Sequence, residues 1–292
     1  MLKEFPLGRE IDRPSAESAI ESFREKLSAQ QLLLKEKKLP VILLIEGWGA
    51  SGKGSLIGRL IRYLDPRFYT VCTRSVPSDE ELRKPFLWHY FTKIPQAGKI
   101  VLFDSGWMEE TVRSVESKEL KKRELTERLD GIRIFERQLV ENGYLVIKLF
   151  LHISREEQKK RLEALEEDKN TDWRVTKNDW QQNKHYDKQL KRFDKYLEAT
   201  SVPWAPWHIL DATNRKEAEL AAFRIVTESI DRALERRPGS TPLPKTEQFP
   251  LVQMPLLSKV SLDKTVRSDE EYRTQLKSAQ KRLRELHNVL YR

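Results

Sequence analysis

Val41-Ile42-Leu43-Leu44-Ile45-Glu46-Gly47-Trp48-Gly49-Ala50-Ser51-Gly52-Lys53-Gly54 is the stretch on which the fold turns. Its first five residues form a continuous β-branched and aliphatic run, the composition of a strand buried on both faces of a parallel sheet. A glycine-rich turn follows at once, and Leu56, Leu60, Ile61 and Leu64 mark a helix after it. Between strand and helix such a turn points backbone N–H groups at one anion, the helix dipole adds positive potential, and a lysine reaches the outer phosphates. Gly47, Gly52 and Lys53 stand in this Walker A register. The Ser or Thr that usually follows the lysine is Gly54, with Ser55 one place later.

Outward from this centre, Ile20, Phe23, Leu27 and Leu34 recur at helical spacing before Pro40, which predicts an amphipathic helix. Ile100-Val101-Leu102-Phe103 is a second buried run ending in Asp104, and Tyr144 to Leu151 a third, behind a helical stretch closed by Gly143. Strands alternating with helices predict βαβ units and an α/β fold with a parallel sheet. Ser154 to Glu157 has the form of a capping box opening a helix through Leu162. The polar stretch from about Glu163 to Trp180 reads as a mobile segment over a site, and Trp173 and Trp180 as residues that could line it. Trp207 to Leu210 is the expected last strand, and Glu217 to Leu234 a closing helix.

Prolines at 238, 242, 244, 250 and 255 rule out a helix or central strand, so 237–267 is expected to be a linker or arm. Beyond it Ser268 to Glu271 forms another capping box, and Tyr272, Leu276, Ala279, Leu283, Leu286 and Leu290 trace one apolar stripe. Phe23, Arg24, Leu27, Gln31 and Leu34 match Tyr272, Arg273, Leu276, Gln280 and Leu283 at one constant offset, so the last helix reads as a second copy of the first. The organisation expected is a tail over 1–14, a P-loop domain over 15–236 with a lid near 163–180, the linker, and a helix over 268–292.

The 292 residues carry 54 Lys and Arg against 45 Asp and Glu, a formal charge of +9, which suits either an anionic partner or simply a charged surface. A lone cysteine, Cys72, excludes a disulfide framework and a cysteine metal cluster. No apolar run approaches the roughly 18 residues of a membrane span, and the first residues lack a signal peptide's apolar core. A cytoplasmic home without membrane contact is expected. The five histidines show no metal-ligand spacing, and no nucleic-acid recognition motif is present.

Asp104, at the carboxyl end of a buried strand, sits where a magnesium-holding carboxylate belongs in a P-loop kinase, although strand-end aspartates also cap turns. Arg155, Lys159, Lys160 and Arg161 are either a solvated face or an anion clamp. The candidate phosphate contacts are Gly47, Gly49, Ser51, Gly52, Lys53, Gly54, Ser55 and Arg161. Lys53 and Asp104 are the candidate catalytic pair, with Asp104 the metal ligand.

From about Ala19 to Thr227 the sequence resembles polyphosphate kinase family 2. The resemblance rests on Glu46 to Gly54, Asp65-Pro66-Arg67, Pro85 to Trp88, Phe103-Asp104 with Trp107, Leu151 to Ser154 with Glu157, Gln158 and Arg161, Trp173 with Asp179 and Trp180, and Ala205-Pro206-Trp207. It implies a three-layer α/β/α P-loop kinase fold with a helical lid. It also implies magnesium-dependent phosphoryl transfer between inorganic polyphosphate and nucleoside mono- or diphosphates.

The departures fall at the chemistry. Gly49 stands where the family has aspartate, Ser105 and Glu110 where it has arginines, and His89 where arginine is common. The family includes tandem polyphosphate:AMP phosphotransferases, and this sequence resembles their first copy, its last helix being like the leader of a second. A second kinase-like copy or a homo-oligomer is the partner this implies. Three functions are expected to compete: a phosphotransferase with weakened catalysis, a non-catalytic phosphate-binding partner domain, and a basic nucleic-acid binder.

Overall fold

The computed structural model describes residues 1–73, 78–118, 120–235, 259 and 268–290. The chain divides into two units, Met1–Leu243 and Pro244–Arg292. Apart from Lys259, the expected linker over 237–267 lies outside the described residues.

In the first unit, helix α1 (Arg13–Lys37) is capped by Asp12, whose carboxylate accepts from Ser15 N–H at 3.1 Å. Its Ile20, Leu27 and Leu34 are buried. Strand β1 (Val41–Gly47) leads through the glycine-rich turn into α2 (Lys53–Ile61). Then come β2 (Tyr69–Thr73), the single turns α3 (Asp79–Leu82) and α4 (Trp88–Phe91), and β3 (Ile100–Asp104). Helices α5 (Trp107–Glu116) and α6 (Lys122–Glu141) precede β4 (Leu145–His152). After β4 the chain forms α7 (Arg155–Glu167), α8 (Lys177–Lys184), α9 (Tyr186–Thr200), β5 (Trp207–Asp211) and α10 (Arg215–Glu235).

Among the described residues the sheet has five strands, all parallel, in the order β2-β3-β1-β4-β5. Val41, Leu43, Ile100 and Leu102 meet Leu27 of α1, Leu60 of α2 and Val226 and Ile230 of α10, which forms one outer layer. On the opposite face Phe135 of α6 and Phe193 of α9 pack edge-on to Trp107 and Phe150. The fold is therefore the three-layer α/β/α arrangement with β1 at its centre. Among the described residues no helix is long and apolar enough to cross a membrane.

One polar group breaks the apolar run of β4. Lys148 is wholly buried, its ammonium donating to Glu136 Oε2 at 2.6 Å and the Thr200 carbonyl at 2.7 Å. Glu136 Oε1 accepts from the Trp107 indole at 3.0 Å, so α5, α6, β4 and α9 share one network. Burial pushes Glu136 up and Lys148 down, and their direct contact opposes both shifts.

In the second unit α11 (Asp269–Leu290) is capped by Ser268, and Glu271 N–H reaches Ser268 Oγ at 3.4 Å. Tyr272, Leu276, Leu283, Leu286 and Leu290 of its stripe are exposed.

Candidate functional site

The P-loop leaves β1 with its backbone pressed against β4. Gly47 has φ 147°, and a Cβ there would lie 2.5 Å from the Leu151 carbonyl, so only glycine fits. Trp48 turns inward rather than toward a ligand. It is fully buried, stacks on Tyr186 at 4.1 Å and donates its indole N–H to His152 Nδ1 at 2.9 Å. Burial lowers the His152 pKa to about 4, partly offset by a backbone hydrogen bond with Leu2, so the ring is neutral and Nδ1 can accept.

Lys53 Nζ donates to the carbonyls of Gly47 and Trp48, each at 3.2 Å, lying back over the loop it belongs to. As the first residue of α2 it starts a helix whose leading N–H groups lack intrahelical acceptors. Gly52, Lys53, Gly54 and Ser55 lie in this first turn and the residue before it. The Ser51 hydroxyl, by contrast, is buried without a hydrogen-bond partner, and Ser51 lines a small cavity with Arg59 and Arg215.

Arg161 holds the loop from behind, with every donor engaged in this structure. Its Nε donates to Glu157 at 2.7 Å, Nη1 to the carbonyls of Ala50 and Ser51 at 3.3 and 3.1 Å, and Nη2 to those of Ala212 and Thr213 at 2.7 and 3.0 Å. All five N–H donors are thus used. Here the guanidinium, which the sequence reading placed among the phosphate contacts, braces the loop from α7.

β3 delivers Asp104 beside this loop, paired in register with Ile45 of β1. Its carboxylate oxygen comes within 3.8 Å of the point where a Cβ on Gly54 would stand. Burial raises its pKa, and Lys53 pulls it down. Next to it Ser105 has φ 63°, a left-handed conformation for a residue with a side chain. Glu46, which the sequence reading gave no role of its own, lies buried between the two strand ends. Its Oε1 accepts from Gly106 N–H at 2.9 Å and Glu109 N–H at 3.3 Å, which ties β1 to the start of α5. Burial and then neighbouring Glu109 raise its pKa to about 8.

The described residues hold no cluster of three or more His, Cys, Asp or Glu able to bind a metal by themselves. A magnesium–phosphate complex asks less, because it keeps waters and phosphate oxygens and takes only one or two protein carboxylates. Asp104 beside the P-loop fits that demand.

A cavity of about 430 Å³ opens beyond Ser105, lined by His89, Tyr90, Glu110, Arg113 and Arg128 among others. Glu110 faces into it. Its Oε2 takes Tyr90 O–H at 2.7 Å and lies 3.0 Å from His89 Nε2. Lys84 and Lys93 also line this space, and Arg113 is paired with Glu109 at 2.8 Å.

α8 begins inside the expected lid near 163–180 and touches the loop two residues beyond it, where Gly49 N–H donates to Gln182 Oε1 at 2.9 Å. Trp173 is exposed, with its indole on the Asn170 carbonyl, and Trp180 donates to Glu166. Gln182 carried no sequence signal, since a glutamine in a polar helix declares no partner.

Residues 10–238 match the family model described as Polyphosphate kinase 2 (PPK2). A polyphosphate:AMP phosphotransferase of Pseudomonas aeruginosa is 31% identical over 290 residues, covering 97% of this chain and 58% of its own length. A namesake from Pseudomonas syringae pv. tomato is 31% identical over 237 residues, covering 81% of this chain and 48% of its own length. The chain thus spans about half the length of these two relatives. An ADP-polyphosphate phosphotransferase 2 of Rhizobium meliloti is 31% identical over 225 residues, covering 73% of this chain and 72% of its own length. The crystal structure of polyphosphate kinase 2 from Arthrobacter aurescens TC1 superposes with TM-score 0.74 at 24% identity, over 84% of this chain and 87% of that one, a likeness of fold.

Proposed function

The chain belongs to the polyphosphate kinase 2 family, and from that premise we propose that its first unit is a polyphosphate-dependent nucleotide phosphotransferase with weakened turnover. The observation that carries the reading is the nearness of Lys53, at the start of α2 where the loop after β1 ends, to Asp104, at the end of the parallel neighbour strand β3. The P-loop turn and the first turn of α2, with Gly47, Gly49, Gly52, Lys53, Gly54 and Ser55, would receive polyphosphate oxygens. The cavity beside β3, with its lysines and arginines, would take a nucleoside mono- or diphosphate. Magnesium, held by Asp104 and phosphate oxygens, would neutralise charge on the transferring group.

In the transfer an oxygen of the acceptor's last phosphate attacks the terminal phosphorus of polyphosphate. A P–O bond forms to the nucleotide, the P–O–P bond breaks, and the shortened polyphosphate leaves with the electron pair. Lys53 moves from the loop carbonyls onto the phosphates, and the protein's remaining work is positioning and charge stabilisation. That charge is what this site is short of. Glu110 faces the cavity where the family resemblance puts arginine, and a carboxylate there opposes a polyanion. Losing one such stabilising group costs about 2.7–4 kcal/mol, a hundredfold or more in rate.

The test is purified chain with magnesium, long-chain polyphosphate and AMP, ADP, GMP or GDP in turn. Product formed well below the roughly 1–100 per second of ordinary kinases supports the reading. Turnover within that range sinks the weakening. Binding without product favours the phosphate-binding partner domain, and preference for nucleic acid over polyphosphate favours the basic binder. A cytoplasmic setting belongs with this reading, since its substrates and free cysteine suit a reducing compartment.

A second reading concerns α11. In α1, Arg24 pairs with buried Glu219 at 2.8 Å, and Gln31 Oε1 accepts Asp65 N–H at 2.8 Å while Leu27 and Leu34 are buried. Arg273, Gln280, Leu276 and Leu283 repeat that set on a helix whose apolar stripe is exposed. Those contacts fit a second unit of the same type as partner. Replacing Leu276 and Leu283 with Asp should change the association state or solubility of the full chain, and no change would dismiss the idea.

A further inference from the structure

Gly49 is gripped by α8 at its N–H and by α7, through Gln158, at its carbonyl. Its N–H donates to Gln182 Oε1 at 2.9 Å, and its carbonyl accepts from Gln158 Nε2 at 3.2 Å. The two glutamines are joined directly, Gln158 Nε2 to Gln182 Oε1 at 2.7 Å. Asn183 braces the pair, its Nδ2 donating to Gln158 Oε1 at 3.1 Å and to the Arg155 carbonyl at 2.9 Å. Gln158 and Asn183 are buried, so these bonds are sheltered from competing water.

Asp179 completes the contact. A Cβ on residue 49 would stand 2.5 Å from Asp179 Oδ1 and 3.2 Å from Gln182 Oε1. The carboxylate is not free to swing aside, because Oδ2 accepts from Thr176 N–H at 2.9 Å and Thr176 Oγ1 at 2.6 Å in the cap of α8. The helix thus occupies a place that only glycine leaves open.

We propose that the Gly49 peptide is the seat of α8 as a lid, and that Gln182 is the positioning residue that couples lid closure to filling of the P-loop. The ligand's identity rests on the polyphosphate reading above; the seat does not. Seated, α8 takes the Gly49 N–H at the rim of the loop and holds the Asp179 carboxylate beside it. A polyanion entering the loop meets that carboxylate as a like charge, so filling the loop and seating the lid bear against each other. Opening favours entry, while closure keeps water from the transferring group. Gln182 therefore trades polyphosphate affinity against turnover.

Hydrogen exchange of the ligand-free full chain tests the seat. Gly49→Ala and Gln182→Ala should each speed exchange of the α8 amides by about tenfold, the worth of one or two hydrogen bonds. Gln182→Glu keeps an acceptor for both donors and should leave α8 protected while weakening binding of tripolyphosphate, the probe for the loop. Asp179→Asn keeps the cap and should tighten that binding severalfold at low salt, less so at high salt. In Gln182→Ala, KM for polyphosphate and kcat should both fall, a split that simple loss of structure does not produce.

Unchanged α8 protection in both Gly49→Ala and Gln182→Ala overturns the seat. Loosened α8 with unchanged tripolyphosphate affinity, and no response of wild-type α8 to tripolyphosphate, overturns the coupling. If wild type binds no tripolyphosphate, the functional reading fails and the coupling with it, while the ligand-free exchange still decides the seat.

Discussion

The two walls of the candidate site are held by opposite means. Behind the P-loop, Trp48, His152 and Arg161 are buried, and their polar atoms are matched to named partners in β4, α7 and the segment after β5. In front, Glu110, His89 and Arg113 are partly open to a cavity. A buried, saturated wall tolerates little change, because any lost partner leaves an unpaired group out of reach of water. A half-open wall lets water stand in, so its charges can change without cost to the fold. On the reading proposed above, the family shape therefore persists while the charge on the front wall changes.

The comparison can be broken most forcefully at Arg161. Arg161→Met should destabilise the chain by about 3–5 kcal/mol in denaturant unfolding, since it strands Glu157 and four carbonyls. Arg161→Lys should restore little, because an ammonium cannot reproduce the planar fork. A loss under about 1 kcal/mol would mean that the rear wall is no more rigid than the front.

His152 gives the next largest effect and is read through pH. Its folded pKa of about 4 lies below the ordinary 6.5, so below pH 6.5 the unfolded chain binds a proton that the folded chain refuses. Stability should fall as pH drops from about 6.5 to 4, by up to about 3 kcal/mol from this group. His152→Gln should flatten that slope in unfolding curves taken across the window, and an unchanged slope would remove His152 from the wall's defence.

On the front wall the stability effects shrink and the binding effects appear. Glu110→Gln should alter stability by no more than about 1 kcal/mol, as for a partly exposed pair. It should also raise affinity for anionic nucleotides severalfold at low salt, measured by calorimetry. Restoring charge is better tried with Ser105→Arg and Glu110→Arg than with an aspartate at Gly49, whose place Asp179 already holds. The left-handed backbone at Ser105 already carries a side chain, so its strain of about 1–2 kcal/mol is present in the native protein and arginine adds little to it. A gain in turnover without loss of fold would sharpen the contrast between the walls.

Much of the frame was legible because buried strands are nearly uniform in composition. β1, β3, β4 and β5 declare themselves through runs such as Val41 to Ile45, and Asp104 through its place after one. β2 did not, since Tyr69 to Thr73 is a partly exposed edge strand with little apolar signal. α9 hid its buried Phe193, Tyr196 and Leu197 among lysines and aspartates. Site residues whose role is local, such as Gly47 and Lys53, follow from spacing. Those whose role is a distant contact do not, because nothing near Gln182 or Arg161 in sequence names Gly49 or the Ala50 carbonyl. Trp48 was opaque for the same reason, its partners His152 and Tyr186 lying far along the chain.

β1 sits at the middle of the sheet, yet its two neighbours are β3 and β4, and Val41 pairs with Ile100 on one side and Leu145 on the other. During synthesis at roughly 5–20 residues per second, Leu145 follows Val41 after on the order of 5–20 seconds. For that interval the most apolar segment of the unit has at least one unpaired edge. Nascent chains halted before β4 should therefore be the form of this protein most in need of a chaperone.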